Sequence, residues 1–170
     1  ARSSWVIGAA MTFGAARKPG ALFVRLSQDS LADMTLPAWL SAQLKTSGVA
    51  PERIVFQVRE EVAGQQLKEA VALQQALREQ GFRFAIEGFG VGRDAEQLLG
   101  HLSPDFVKIH GALMQGLSAD QDQQSRVKLL VELARARKAI TIGERVQDAN
   151  TMAVLWQLGR TEEALDHHER

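Results

Sequence analysis

The chain has no cysteine, no excess of either charge and no apolar run long enough to cross a bilayer. Without cysteine there are no disulfides, no zinc–thiolate sites and no thiol nucleophile. That fits a reducing compartment, and a cytoplasmic location is expected. Lys plus Arg number 20, as do Asp plus Glu, so no global field draws the protein to a nucleic-acid polymer or an anionic membrane. A membrane helix needs about 20 consecutive apolar residues, so membrane insertion is not expected. The opening residues Ala1-Arg2-Ser3-Ser4-Trp5 include neither an initiator methionine nor a signal-peptide core. A piece of a larger protein is expected.

What is present is ordinary globular material. The 170 residues are 45% hydrophobic and 24% charged, enough for one domain with its own core. Apolar runs alternate with amphipathic stretches. Strands are predicted at Leu22 to Leu26, Arg53 to Val58, Phe82 to Glu87, Asp105 to Ile109 and Ala139 to Ile142. Between them, helical spacing predicts helices over Leu36 to Lys45, Val62 to Gln80, Asp94 to about Leu102, Gln121 to Arg137 and Asp148 to Leu158, with a short one near Leu113. Gly81 stands where a helix-ending glycine belongs, and Asp94 where a capping residue belongs. Strands separated by helices of ten or more residues imply βαβ units and a parallel sheet. Five strands are too few for an eight-stranded barrel. Residues 1–159 are therefore expected to form a partial domain and residues 160–170 a charged tail.

The densest chemistry lies at the predicted C-terminal strand ends, where α/β barrels hold their functional residues. Ala85-Ile86-Glu87-Gly88-Phe89-Gly90-Val91-Gly92 is a strand running into an acidic, glycine-rich loop, and Val107-Lys108-Ile109-His110 follows. The glycine spacing is not that of a dinucleotide fingerprint, and a tight strand-to-helix turn is the plainer reading. His110 reads as a ligand, a base or simply a packed residue, the last being the commonest fate of a lone histidine. Trp5, Trp39 and Trp156 are read as core or interface residues on helices, and His167 and His168 as solvated. Glu163-Ala164-Leu165 sits among charges and reads as surface helix.

With these elements in order, the chain resembles the EAL-domain family of cyclic di-GMP phosphodiesterases and receptors. The resemblance covers roughly Trp5 to Gly159. It rests on Val24-Arg25-Leu26-Ser27, Gln57-Val58-Arg59-Glu60, Ile86 to Gly92, Val107-Lys108-Ile109-His110 and Gly143-Glu144-Arg145-Val146-Gln147. It implies a TIM-barrel-like (β/α) parallel barrel that lacks its first and last strands in this chain. The Glu-Ala-Leu motif that names the family would precede Ala1, and the closing strand would follow Gly159.

Active members of the family cleave a phosphodiester with water activated by paired divalent ions, which need a crowd of oxygen ligands. Mapped residue by residue, the resemblance implies that this set is largely gone. Arg25 replaces an asparagine, Gln57 a glutamate, Glu87 and Gly88 a pair of aspartates, His110 an aspartate, and Gln147 a glutamate. Lys108 and Glu144 are kept. Two metal ions carry about four positive charges, which are costly without several carboxylates to offset them. No catalytic metal and no phosphodiesterase activity are expected.

Arginine donates two hydrogen bonds to a phosphate, so Arg25 and Lys108 are candidate phosphate ligands. Glu144 is a candidate for a guanine edge, and Glu87, Gln57 and Gln147 complete the candidate ligand set. Alternatively, Arg25 pairs with Glu87 or Glu60. Within the family the chain is most similar to degenerate domains of the FimX type. That implies cyclic di-GMP binding without hydrolysis and a PilZ-type protein partner in type IV pilus regulation. A platform that has lost nucleotide binding stays open beside it.

Overall fold

The computed structural model of the chain describes residues 21–146 and 148–159. The expected α/β class is present: parallel strands alternate with helices, and the strand order is β1-β2-β3-β4-β5. The chain divides into two compact units. One takes residues up to Val58 with Val62–Ala85; the other takes Arg59–Glu61 with everything from Ile86 on.

In the first unit, β1 (Leu22–Arg25) pairs in parallel with β2 (Ile54–Arg59), from Leu22 opposite Ile54 to Arg25 opposite Gln57. Ile54, Val55, Phe56 and Val58 are all fully buried, the apolar run, interrupted only by Gln57, of a strand covered on both faces. The connection holds α1 (Gln28–Ala32) and α2 (Leu36–Ser47), which has Pro37 in its first turn. Helix α1 has no counterpart in the sequence reading, since five residues are too few to show a period. Its signal is local: the Ser27 hydroxyl accepts from the Ser30 N–H at 3.2 Å. Trp39 is half-buried on α2.

The helix expected from Val62 to Gln80 is instead two, α3 (Glu60–Gln65) and α4 (Leu67–Glu79). Gln66 breaks them apart with φ −126° and ψ 51°, two residues after Gly64, a poor helix former. After the break α4 buries Ala70, Leu73, Gln74 and Leu77 on one face. It ends as expected, with Gly81 at φ 92° and Phe82 N–H bonded to the Leu77 carbonyl at 3.1 Å. The Gln80 Nε2 then donates to the Pro37 carbonyl at 2.8 Å, tying α4 to the start of α2. Phe56 and Phe82 meet edge to face with centroids 5.0 Å apart.

Strand β3 (Arg83–Phe89) gives its later residues to the second unit, which continues through α5 (Ala95–His101), β4 (Phe106–Ile109), two single 3-10 turns at Gly111–Leu113 and Leu117–Ala119, α6 (Gln121–Ala136), β5 (Ile140–Gly143) and α7 (Ala149–Gly159). Strand β4 lies parallel to β5, from Phe106 opposite Ile140 to Ile109 opposite Gly143. Helix α6 covers them with buried Val127, Leu130, Val131 and Ala134. Its cap is Asp120, which accepts from the Gln123 N–H at 3.1 Å. Asp94, by contrast, occupies the capping position of α5 without a capping bond, because its backbone (φ −106°, ψ 25°) is not extended.

Asp148 caps α7, as expected: its carboxylate accepts from the Thr151 N–H at 2.7 Å and from the Thr151 hydroxyl at 3.0 Å. Those bonds, the backbone one foremost, hold the carboxyl below its ordinary 3.8. A depressed carboxyl contributes stability above its unfolded value and loses it as the pH falls through the folded one. Protection of the Thr151 amide against hydrogen exchange is therefore expected to decline as the pH drops below 3.8. Asp148→Asn should flatten that response.

Candidate functional site

Arg25 and Gln57 belong to the first unit. They end β1 and β2 as register partners, and the Leu26 N–H donates to the Gln57 carbonyl at 2.8 Å. Arg25 is exposed, whereas Gln57 is buried at 8%. The pairing of parallel strands thus sets Arg25 and Gln57 side by side at one strand end.

The second unit gathers Glu87, Gly88, Lys108, His110 and Glu144 at the ends of β3, β4 and β5. Strand register does the gathering: the His110 N–H donates to the Phe89 carbonyl at 2.9 Å, and the Glu144 N–H to the Ile109 carbonyl at 3.0 Å. Glu87 is buried at 5%, while Lys108, His110 and Glu144 are half-buried. Glu144 Oε1 accepts from the Gly88 N–H at 2.7 Å, so one retained acid latches the end of β5 to the end of β3. The His110 Nδ1 accepts from the Ala112 N–H at 3.0 Å. That bond caps the following turn. Gln147, the remaining predicted ligand, lies outside the described residues, as do Trp5, His167 and His168.

The residue that sequence reasoning missed is Glu60. Buried at 8%, it accepts from the Gly90 N–H with Oε1 at 3.1 Å and from the Gly92 N–H with Oε2 at 3.0 Å. Arg126 Nη2 donates to the Gly90 carbonyl at 2.9 Å. The glycine loop is therefore gripped on both its donors and its acceptor, and the strand-to-helix turn reading holds. Both oxygens of Glu60 serve loop amides. Only its place directly after β2 marks Glu60 in the sequence, because its partners lie 30 and 32 residues away.

Chemically, these strand ends offer cations, amides and acids already engaged with backbone. Among the described residues, no three acids or histidines come together to hold a metal ion. No described helix is long and apolar enough to cross a membrane.

The profile of the EAL domain family matches residues 3–161. Among solved structures, the FimX EAL domain is similar with a TM-score of 0.87 and 34% identity, over 92% of this chain and 64% of that one. The FimX EAL domain of Pseudomonas aeruginosa bound to c-di-GMP gives 0.86 and 35%, over 91% and 63%. Among curated proteins, cyclic di-GMP phosphodiesterase PdeF of Escherichia coli K12 is 27% identical over 159 residues, 91% of this chain and 21% of that protein. The chain thus spans just under two thirds of the FimX chains and about a fifth of PdeF. The fold is that of the FimX EAL domains, of the TIM-barrel-like type expected. With a profile match over nearly its whole length, the chain belongs to the EAL domain family.

Proposed function

We propose that this domain binds cyclic di-GMP without hydrolysing it and passes the bound state to a protein partner of the PilZ type, in cytoplasmic control of type IV pili, motility or biofilm. The observation that carries the reading is the likeness in sequence and fold to a FimX EAL domain bound to c-di-GMP. Support for the loss of hydrolysis comes from the donor set. Where the family resemblance implies metal ligands, this chain has Arg25, Gln57, Gly88, His110 and Gln147, and its retained Glu144 accepts from a backbone amide. Such a set does not fit a pair of divalent ions, which require several free anionic oxygens.

In this reading Arg25 donates to a phosphate and Lys108 adds a second positive charge. Glu144 and Glu87 accept from guanine, with Gln57 and Gln147 as neutral partners. No step of bond cleavage is assigned to any of them.

A second reading, hydrolysis, is favoured by the phosphodiesterase names of curated relatives such as PdeF. Calorimetric titration of cyclic di-GMP with chelator present, followed by a product assay with magnesium or manganese, separates the two. Binding that survives the chelator, with no turnover in either metal, is the expected result. Metal-dependent disappearance of cyclic di-GMP would establish the enzyme instead. A folded protein that neither binds nor cleaves would leave an interaction platform. Arg25→Ala is expected to weaken binding by at least about 1.5 kcal/mol, the lower end for a hydrogen bond to a charged group. Unchanged affinity would remove Arg25 from the ligand set.

A further inference from the structure

Among the described residues, two non-glycine residues have positive φ, Lys138 at 60° and Arg145 at 52°. Lys138 has an ordinary cause. It follows α6, where its N–H bonds to the Arg135 carbonyl and the Ala139 N–H to the Ala134 carbonyl, both at 2.9 Å, a left-handed residue closing a helix. Arg145 closes no helix. It sits in the turn after β5, next to Glu144, where glycine would adopt the same backbone without strain. Strained residues of this kind persist when their surroundings fix them, and they concentrate at functional sites.

What fixes Arg145 is the bare backbone of Gly111. A Cβ on Gly111 would lie 3.0 Å from Arg145 Cδ and 3.3 Å from its Cβ and Cγ. The aliphatic stem therefore lies flat along the turn that follows β4, in space that any other residue at position 111 would contest. The guanidinium begins one bond beyond Cδ, and the residue as a whole is exposed. That turn follows β4, which carries Lys108, and Arg145 itself follows Glu144 at the end of β5, where Glu144 Oε1 accepts from the Gly88 N–H. A strained backbone and an immobilised stem thus present a permanently charged, two-pronged donor at this strand end. Pre-organisation of that kind suits a phosphoryl oxygen pair.

We infer that Arg145 is a ligand-binding residue that grips a phosphoryl group of the nucleotide, an assignment that deepens the receptor reading and rests on it. Arg145→Gly separates this role from a structural one. Glycine removes the fork and relieves the left-handed strain together, so affinity for cyclic di-GMP should fall by at least about tenfold while the Tm does not fall. Arg145→Lys keeps the stem and the charge but not the fork, and should bind with intermediate affinity. Affinity of Arg145→Gly within twofold of the parent chain would overturn the assignment and leave the receptor reading standing. If the parent chain binds no cyclic di-GMP, the receptor reading fails, and inorganic pyrophosphate becomes the probe. The Arg145 Nε resonance should then shift on titration in the parent chain, and no arginine resonance of Arg145→Gly should show that shift. An Nε that does not move would overturn the assignment.

Discussion

Gly90→Ala is expected to destabilise the domain by about 3–5 kcal/mol, from incompatible backbone and overpacking together. Two independent effects coincide at this position. Its φ of 108° lies where side chains of L-residues are rarely found, so any Cβ carries strain. That Cβ would also overlap Leu130 Cδ1 and come within 3.1 Å of Leu113 Cδ1. Leu130 is fully buried in the face of α6, so it has little room to yield in a close-packed interior. The loss is a large share of the roughly 5–15 kcal/mol typical of a whole domain. Urea denaturation measures it directly. A midpoint unchanged from the parent chain would show that the leucines move aside and that the loop adopts another backbone.

Glu60→Ala is expected to cost about 2–4 kcal/mol, since hydrogen bonds to a charged group contribute roughly 1.5–3 kcal/mol each and are not additive. The substitution leaves the Gly90 N–H, which is buried, and the Gly92 N–H, which is half-buried, without their acceptors. Arg126 still holds the Gly90 carbonyl, so the loop should loosen before it is lost. Hydrogen exchange at Gly90 and Gly92 should accelerate more than exchange in α6, and the Tm should drop by about 5–10 °C. Glu60→Gln supplies one acceptor oxygen and sets a donating amide NH2 against the other N–H, so its loss should fall between the parent and alanine. Equal protection of the two glycines in parent and alanine variants would show that the carboxylate is dispensable to the loop.

The two substitutions test one arrangement from opposite sides. Gly90 allows the chain to turn sharply and to lie against α6, and Glu60 holds the turn in place once made. The same loop follows directly on Glu87 and Gly88, so a loosened loop also releases the latch that Glu144 makes to the Gly88 N–H. Ligand affinity in Glu60→Ala should accordingly fall further than the exposed surface of Glu60 would suggest.

Much of this was legible in the chain itself. The apolar runs of β2 and β3, the α4-ending Gly81 and the capping residue Asp148 are determined by neighbours within a few residues. Local pattern is enough for such features, and the same pattern carried the family resemblance and the roster of altered strand-end residues. Where local signals were weak or overridden, only the tertiary structure decided. A helical period ran through Gln66, yet the chain breaks there. Asp94 has the right residue type for a cap and the wrong backbone.

The loop clamp lay furthest from view. Glu60 meets Gly90 and Gly92, Glu144 meets Gly88, and the stem of Arg145 lies on Gly111, across separations of 30 or more residues. Hydrogen bonds and close approaches of that kind follow from strand register and helix placement, which bring distant residues together without leaving a period in the sequence. The sequence alone determined which residue types stand at each strand end. Only the folded chain determined which of them are already engaged with backbone and which residue beside them has a strained backbone.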